Sequence, residues 1–139
     1  MTGCARGRRP VAASPALVVF SGTADLRWLA LLKPGFRHCF AAIESGRHWV
    51  VYNPLSHWTE IAVLENTRGD ALAAWYRQHG LTVVRWARRP PAPEPAPLGL
   101  YTCVEAVKRV LGIHAPWVIT PWNLYNFLEN EKIRKKSLT

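Results

Sequence analysis

Cysteine, methionine and acidic side chains are scarce in this chain: three cysteines, one methionine and nine carboxylates among 139 residues. The cysteines, Cys4, Cys39 and Cys103, are odd in number, widely spaced and without a CxxC pair. That excludes a disulfide framework and a thiolate zinc site, and it fits a reducing compartment. No apolar run approaches the ~18 residues that a bilayer crossing requires, so no transmembrane segment is expected. Glycine-rich phosphate loops, helix-turn-helix, zinc-finger and RRM-type signatures are missing, as is any His/Cys/carboxylate cluster at ligand spacing. No cofactor or metal is therefore expected.

What is present points to a folded globule. Hydrophobic residues make up 49% and charged residues 19%, too apolar for a disordered chain. The length suits one domain that buries about two-thirds of its unfolded surface. A net charge of +9 arises from 18 basic and 9 acidic side chains. Much of the excess sits at the ends, in Arg6, Arg8 and Arg9 and in Lys132, Arg134, Lys135 and Lys136. Residues 1–14 read as a flexible basic arm and 132–139 as a basic tail, flanking one domain over 15–131. Such ends suit an acidic partner or another polyanion, or serve solubility alone. The apolar stretch after the N-terminal arginines is broken by Pro10, Ser14 and Pro15, so secretion by a signal peptide is not expected.

Strands are predicted at 16–20, 36–43, 48–53, 61–64 and 81–86 from short β-branched or alternating runs. Helices are predicted at 21–32, at 68–79 with Gly80 as C-cap, at 101–111 ended by Gly112, and at 122–132 with Pro121 at its start. Residues 117–120 read as a short extended piece. Residues 88–98 hold five prolines and read as a rigid connection within the domain.

Two segments carry chemistry. Thr102 followed three residues later by Glu105 is a capping box, which sets Cys103 in the first helical turn. Free backbone N–H groups and the positive end of the helix dipole favour a thiolate there, and the same groups suit an oxyanion. The competing reading is a core residue, because Cys103, Ala106, Val107 and Val110 fall at helical spacing. His38 lies in a predicted strand whose alternation sends His38, Phe40 and Ala42 to one face and Cys39, Ala41 and Ile43 to the other. Cys39 is thereby expected to be a buried core thiol. A turn over residues 44–47 would pair Ile43 with His48 and, continuing, His38 with Asn53. Asn53 is then the expected orienter of the imidazole, with His57 and Glu60 in reserve. Trp49, on the His38 side of the hairpin, and Trp122, at a late helix start beside Asn123, are candidates to flank substrate.

The order of these parts, a His strand before a Cys helix, resembles the circularly permuted papain-like group of cysteine hydrolases. That group takes in lecithin:retinol acyltransferase-like proteins and bacterial or phage relatives of NlpC-type peptidases. The segment Phe36-Arg-His-Cys-Phe-Ala-Ala-Ile resembles the group's histidine strand, and Tyr101-Thr-Cys-Val-Glu-Ala-Val its cysteine helix. The resemblance covers roughly residues 16–128. It implies an α+β fold, a small antiparallel sheet flanked by helices, with thiol-based cleavage or transfer of an acyl group. Cys103 would be nucleophile, His38 base and then acid, and Asn53 orienter. Thr102 stands where lipid-acting members often carry Asn. The expected substrates are peptidoglycan peptides or other protein amide bonds, and the expected location is cytoplasmic or virion-associated. Two other readings stand beside it: a non-catalytic assembly protein on the same fold, marked by dependence on its basic ends, and a nucleic-acid binder, marked by steep salt dependence.

Overall fold

The computed structural model describes residues 13–23, 31–90 and 101–138. The strands are β1 (Ser14–Ser21), β2 (His38–Ser45), β3 (His48–Pro54), β4 (Thr59–Leu64) and β5 (Thr82–Arg88). The helices are α1 (Gly69–Gln78), α2 (Cys103–Leu111) and α3 (Pro121–Lys136). Every strand pairing is antiparallel, in the order β4-β3-β2-β1-β5. The described residues thus form an α+β fold, one five-stranded antiparallel sheet with three helices.

The burial of each strand explains its place. β1 holds the continuous apolar run Ala16-Leu-Val-Val-Phe20, and all five residues are buried. A strand with no polar face must be covered on both sides, and β1 lies between β2 and β5 with helices above and below. Ala16, Val18 and Phe20 join Cys39, Ala41, Val84 and Trp86 under α2 and α3, where Val104, Val107, Leu111, Leu124 and Leu128 complete a core. Leu17 and Val19 turn the other way, onto Phe40, Ala42 and Val51 with Leu72, Ala73 and Tyr76 of α1. β4 alternates between exposed and half-buried residues, the pattern of an edge strand with one face covered.

The hairpin of β2 and β3 differs from the expected one. Its turn is the two-residue Gly46-Arg47, with Gly46 at φ 64°. This matches a II′-type hairpin loop, whose first central residue needs positive φ. The pairs are therefore Ser45 with His48, Glu44 with Trp49 and Ile43 with Val50, ending at Ala41 with Tyr52. The register moves by two residues, an even step, so every side chain keeps its predicted face.

Helix α2 is fixed at both ends. At its start Thr102 Oγ1 accepts from the Glu105 N–H at 3.3 Å. The Glu105 carboxylate does not complete the expected capping box. It pairs with Lys108 at 2.8 Å and Arg109 at 3.0 Å. Lys108 is buried and donates from Nζ to the Ala115 carbonyl at 3.0 Å, tying the first turns of α2 to the loop before α3. At the other end Gly112 has φ 70°, and a Cβ there would collide with the carbonyl oxygens of Arg89 and Pro90. The Arg89 N–H donates to Leu111 O at 3.1 Å and Arg88 Nε to Val110 O at 2.8 Å, which locks the helix end to the end of β5. Gly112→Ala is expected to cost about 2–4 kcal/mol, left-handed strain plus overlap with backbone. Urea denaturation checks this, and a loss below about 1 kcal/mol would show that the junction yields.

Several boundaries shift. α3 carries the full capping box, Thr120 with Asn123, and Pro121 at its start, and it continues to Lys136. Lys132, Arg134, Lys135 and Lys136 therefore ride on a helix rather than on a tail. Residues 118–120 are irregular. β1 already begins at Ser14, the last residue of the expected arm; residues 1–12 lie outside the described residues, as do 24–30 of the first predicted helix and 91–98 of the proline-rich connection. No helix among the described residues is long and apolar enough to cross a membrane.

Candidate active site

The site forms where the β2–β3 ladder opens. β3 pairs β2 only as far as Ala41, whereas β2 continues along β1 through Phe20–Cys39 and Ser21–His38. The start of β2 is thus paired on one side only. α2 packs its first turn there, with Cys103 against the core cluster that holds Cys39 and Ala41. The small side chains at 39 and 41 let the helix lie close to the sheet.

Three polar side chains form a chain on the α1 face. His38 Nε2 donates to Asn53 Oδ1 at 2.7 Å, and Asn53 Nδ2 donates to Glu60 Oε2 at 3.0 Å. An amide oxygen accepts only, so this contact puts the proton on Nε2 and leaves Nδ1 for the thiol. Glu60 fixes which way the Asn53 amide points, because only its NH₂ end can serve a carboxylate. Asn53 and Glu60 are direct cross-strand partners. The His38 ring lies nearly parallel to Phe40, with centroids 6.4 Å apart. Asn53 meets His38 as expected, but across the opened end of the hairpin rather than as its directly paired neighbour.

The thiol sits on the other side of the same strand end. Cys103 is pulled down to about 4, chiefly by a hydrogen bond from the Cys39 thiol. Burial opposes this; a hydrogen bond and the charge of His38 and a backbone hydrogen bond from Cys39 reinforce it. The Cys39 thiol moves the opposite way, well above its ordinary value, through complete burial and then its contact with Cys103. Successive strand residues send side chains to opposite faces, so one thiol is served by both His38 and Cys39 only because β2 begins there.

Some expected residues lie elsewhere. Trp49 is on the predicted face but pairs with Glu44, six residues along β2 from His38, or roughly 20 Å at strand spacing. It is buried against α1 in the core and does not flank the site. Trp122 packs on Phe36 at 4.8 Å between ring centroids, two residues before His38, with Lys33 Nζ 3.3 Å above its ring. Asn123 is spent on capping α3.

Other partners were not expected at all. Cys39 is buried in the core as predicted, yet it is also the principal hydrogen-bond partner of Cys103. Tyr52 and Tyr101 join hydroxyls at 3.0 Å, and this bond, with burial, holds Tyr52 up at about 12. The cue for Tyr52 was its alternation, which places it on the Cys39 face opposite Ala41. Among the described residues no three His, Cys, Asp or Glu side chains group to hold a metal ion. Comparison with protein-family models, curated protein sequences and solved structures gives no match for this chain.

Proposed function

We propose that this chain is a cysteine hydrolase of the permuted papain-like type, acting on amide bonds in peptides. The observation that carries the reading is the convergence of Cys103, at a helix start and held as thiolate, with a His38 ring oriented by Asn53 and Glu60. Nucleophile, base and orienter are the three parts that thiol acyl transfer requires.

In the reaction the Cys103 thiolate attacks the carbonyl carbon, forming the C–S bond and a tetrahedral oxyanion. Thr102 engages the N–H of Glu105 through its hydroxyl and that of Ala106 through its carbonyl. The first-turn N–H groups of Cys103 and Val104 are left for the oxyanion. The His38 imidazolium gives its Nδ1 proton to the leaving amine as the C–N bond breaks. A water molecule then attacks the thioester and loses its proton to His38; the C–O bond forms, the C–S bond breaks, and the acid departs with the Cys103 thiolate restored. Trp122, packed on Phe36 two residues before His38, and the Tyr52–Tyr101 pair, with Tyr101 two residues before Cys103, would supply walls for substrate.

Alkylation by iodoacetamide tests the thiolate. Above about pH 4 Cys103 is ionised, whereas an ordinary thiol at about pH 5.5 is only ~10⁻³ thiolate. The lower basicity of Cys103 forfeits about 10² in intrinsic nucleophilicity, so a net advantage of about tenfold remains at that pH. Its rate stays nearly flat from about pH 5 to 8, while a free thiol climbs about tenfold per unit. Cys39 stays unlabelled in the folded chain. A Cys103 rate that rises with pH like that of glutathione would remove the basis of the proposal.

The orienter is tested separately by Asn53→Ala. An imidazole free to rotate misplaces its proton, and turnover of a peptide amide is expected to fall about 10²-fold with little change in KM. Activity within a factor of two of wild type would show that Asn53 orients nothing.

A further inference from the structure

The two thiols at the site have unequal access. Cys103 is partly exposed, and Cys39 beneath it has no exposed surface. Both are free, and Cys103 packs directly on the core cluster to which Cys39 belongs. In amide hydrolysis Cys39 only donates a hydrogen bond to the Cys103 thiolate, so the redox chemistry of its own sulfur is left unused. We propose that Cys103 and Cys39 form a hydroperoxide-reactive dithiol, Cys103 taking the oxygen and Cys39 resolving it as an internal disulfide.

Two balanced steps make up the reaction. The Cys103 thiolate attacks the terminal oxygen of a hydroperoxide; an S–O bond forms and the O–O bond breaks. The sulfur loses two electrons to the peroxide, which leaves as an alcohol or, from hydrogen peroxide, as water after protonation. The Cys39 sulfur then attacks the Cys103 sulfenic acid. An S–S bond forms, the S–O bond breaks, and the hydroxide leaves with the Cys39 proton as water. The oxidant cannot reach Cys39 directly, so the order of the steps is set by burial. Oxidation of Cys103 also removes the negative charge and hydrogen bond that hold the Cys39 proton in place, which readies Cys39 to resolve. The closed disulfide blocks the nucleophile until a dithiol reductant attacks it.

This inference shares Cys103 with the hydrolase reading but needs no substrate turnover, so the two fail separately. The experiment treats the full chain with hydrogen peroxide near neutral pH, removes the oxidant, unfolds the chain in guanidinium so that Cys39 is reachable, caps remaining thiols with maleimide, and maps tryptic peptides without reduction. The expected product joins the peptide bearing Cys39 to that bearing Cys103, with loss of maleimide uptake at both and recovery after dithiothreitol. In Cys39→Ala, Cys103 is expected to pass on to sulfinic acid, at a yield at least about tenfold above wild type. Accumulation of Cys103 sulfinic acid in wild type with no crosslink overturns the proposal. So does a crosslink of Cys103 to Cys4 in place of Cys39. The wild-type map alone decides the matter if Cys39→Ala fails to fold.

Discussion

Cys103→Ala is expected to lower hydrolysis of a peptide amide by about 10⁴ to 10⁶, leaving only what binding and oxyanion stabilisation supply. The size follows from the role. An alanine cannot form the thioester, and the other thiol among the described residues cannot take over: Cys39 has no exposed surface and a pKa raised by burial and by Cys103 itself. Folding should survive, since Cys103 is only partly buried at a helix start whose cap, Thr102 to the Glu105 N–H, does not involve the thiol. The measurement is kcat/KM on a panel of chromogenic peptide amides, with circular dichroism to certify the fold. Cys103→Ala retaining more than about a tenth of wild-type activity would mean that some other group carries the chemistry. A wild type inert on every peptide amide, with Cys103 still a thiolate by alkylation, would move the reading from hydrolase to a site without turnover.

His38→Ala should follow at about 10² to 10⁴ in kcat, the range of a lost general acid–base. Its second effect separates it from mere structural damage. The ring supplies a hydrogen bond and a charge that lower the Cys103 pKa, while the larger contribution, from Cys39, stays in place. The thiolate is therefore expected to titrate above its wild-type value of about 4, yet still below an ordinary thiol. Because the ionised form exists above the pKa, raising it removes thiolate from the acidic side first. Alkylation at about pH 5 should slow markedly while alkylation at about pH 8 changes little. Added imidazole should restore part of kcat. An unchanged alkylation profile would sever the proposed contact between ring and thiol.

The partial legibility of this site has a local cause. Thr102 before Cys103, and Gly112 after Leu111, are short-range signals, and caps act over three or four residues whatever the rest of the chain does. The alternation of His38, Cys39 and Phe40 is equally local. Those signals placed Cys103 in a first turn and His38 on a strand before any tertiary contact was considered. The hairpin is ambiguous locally because Glu44-Ser-Gly-Arg accepts a four-residue or a two-residue loop. Positive φ at Gly46 decides for the shorter one. The resulting shift of two leaves the faces of both strands unchanged.

Glu60 was legible only as a reserve, because its relation to Asn53 depends on how β4 pairs with β3. Trp49 shows the limit of face assignment: sharing a face with His38 says nothing of distance along the strand.

By itself, then, the sequence determined the types of the described strands and helices, the two faces of the strands, and the places of Cys103 at a helix start and His38 on a strand, because propensity, capping and two-residue periodicity act within a few positions. Only the tertiary structure decided where β2 and β3 part, that α2 fills that opening, and that Cys39 lies beneath Cys103. These depend on contacts between segments more than sixty residues apart, such as Cys39 and Cys103. They are set by packing of small side chains under a helix, and no local pattern encodes that.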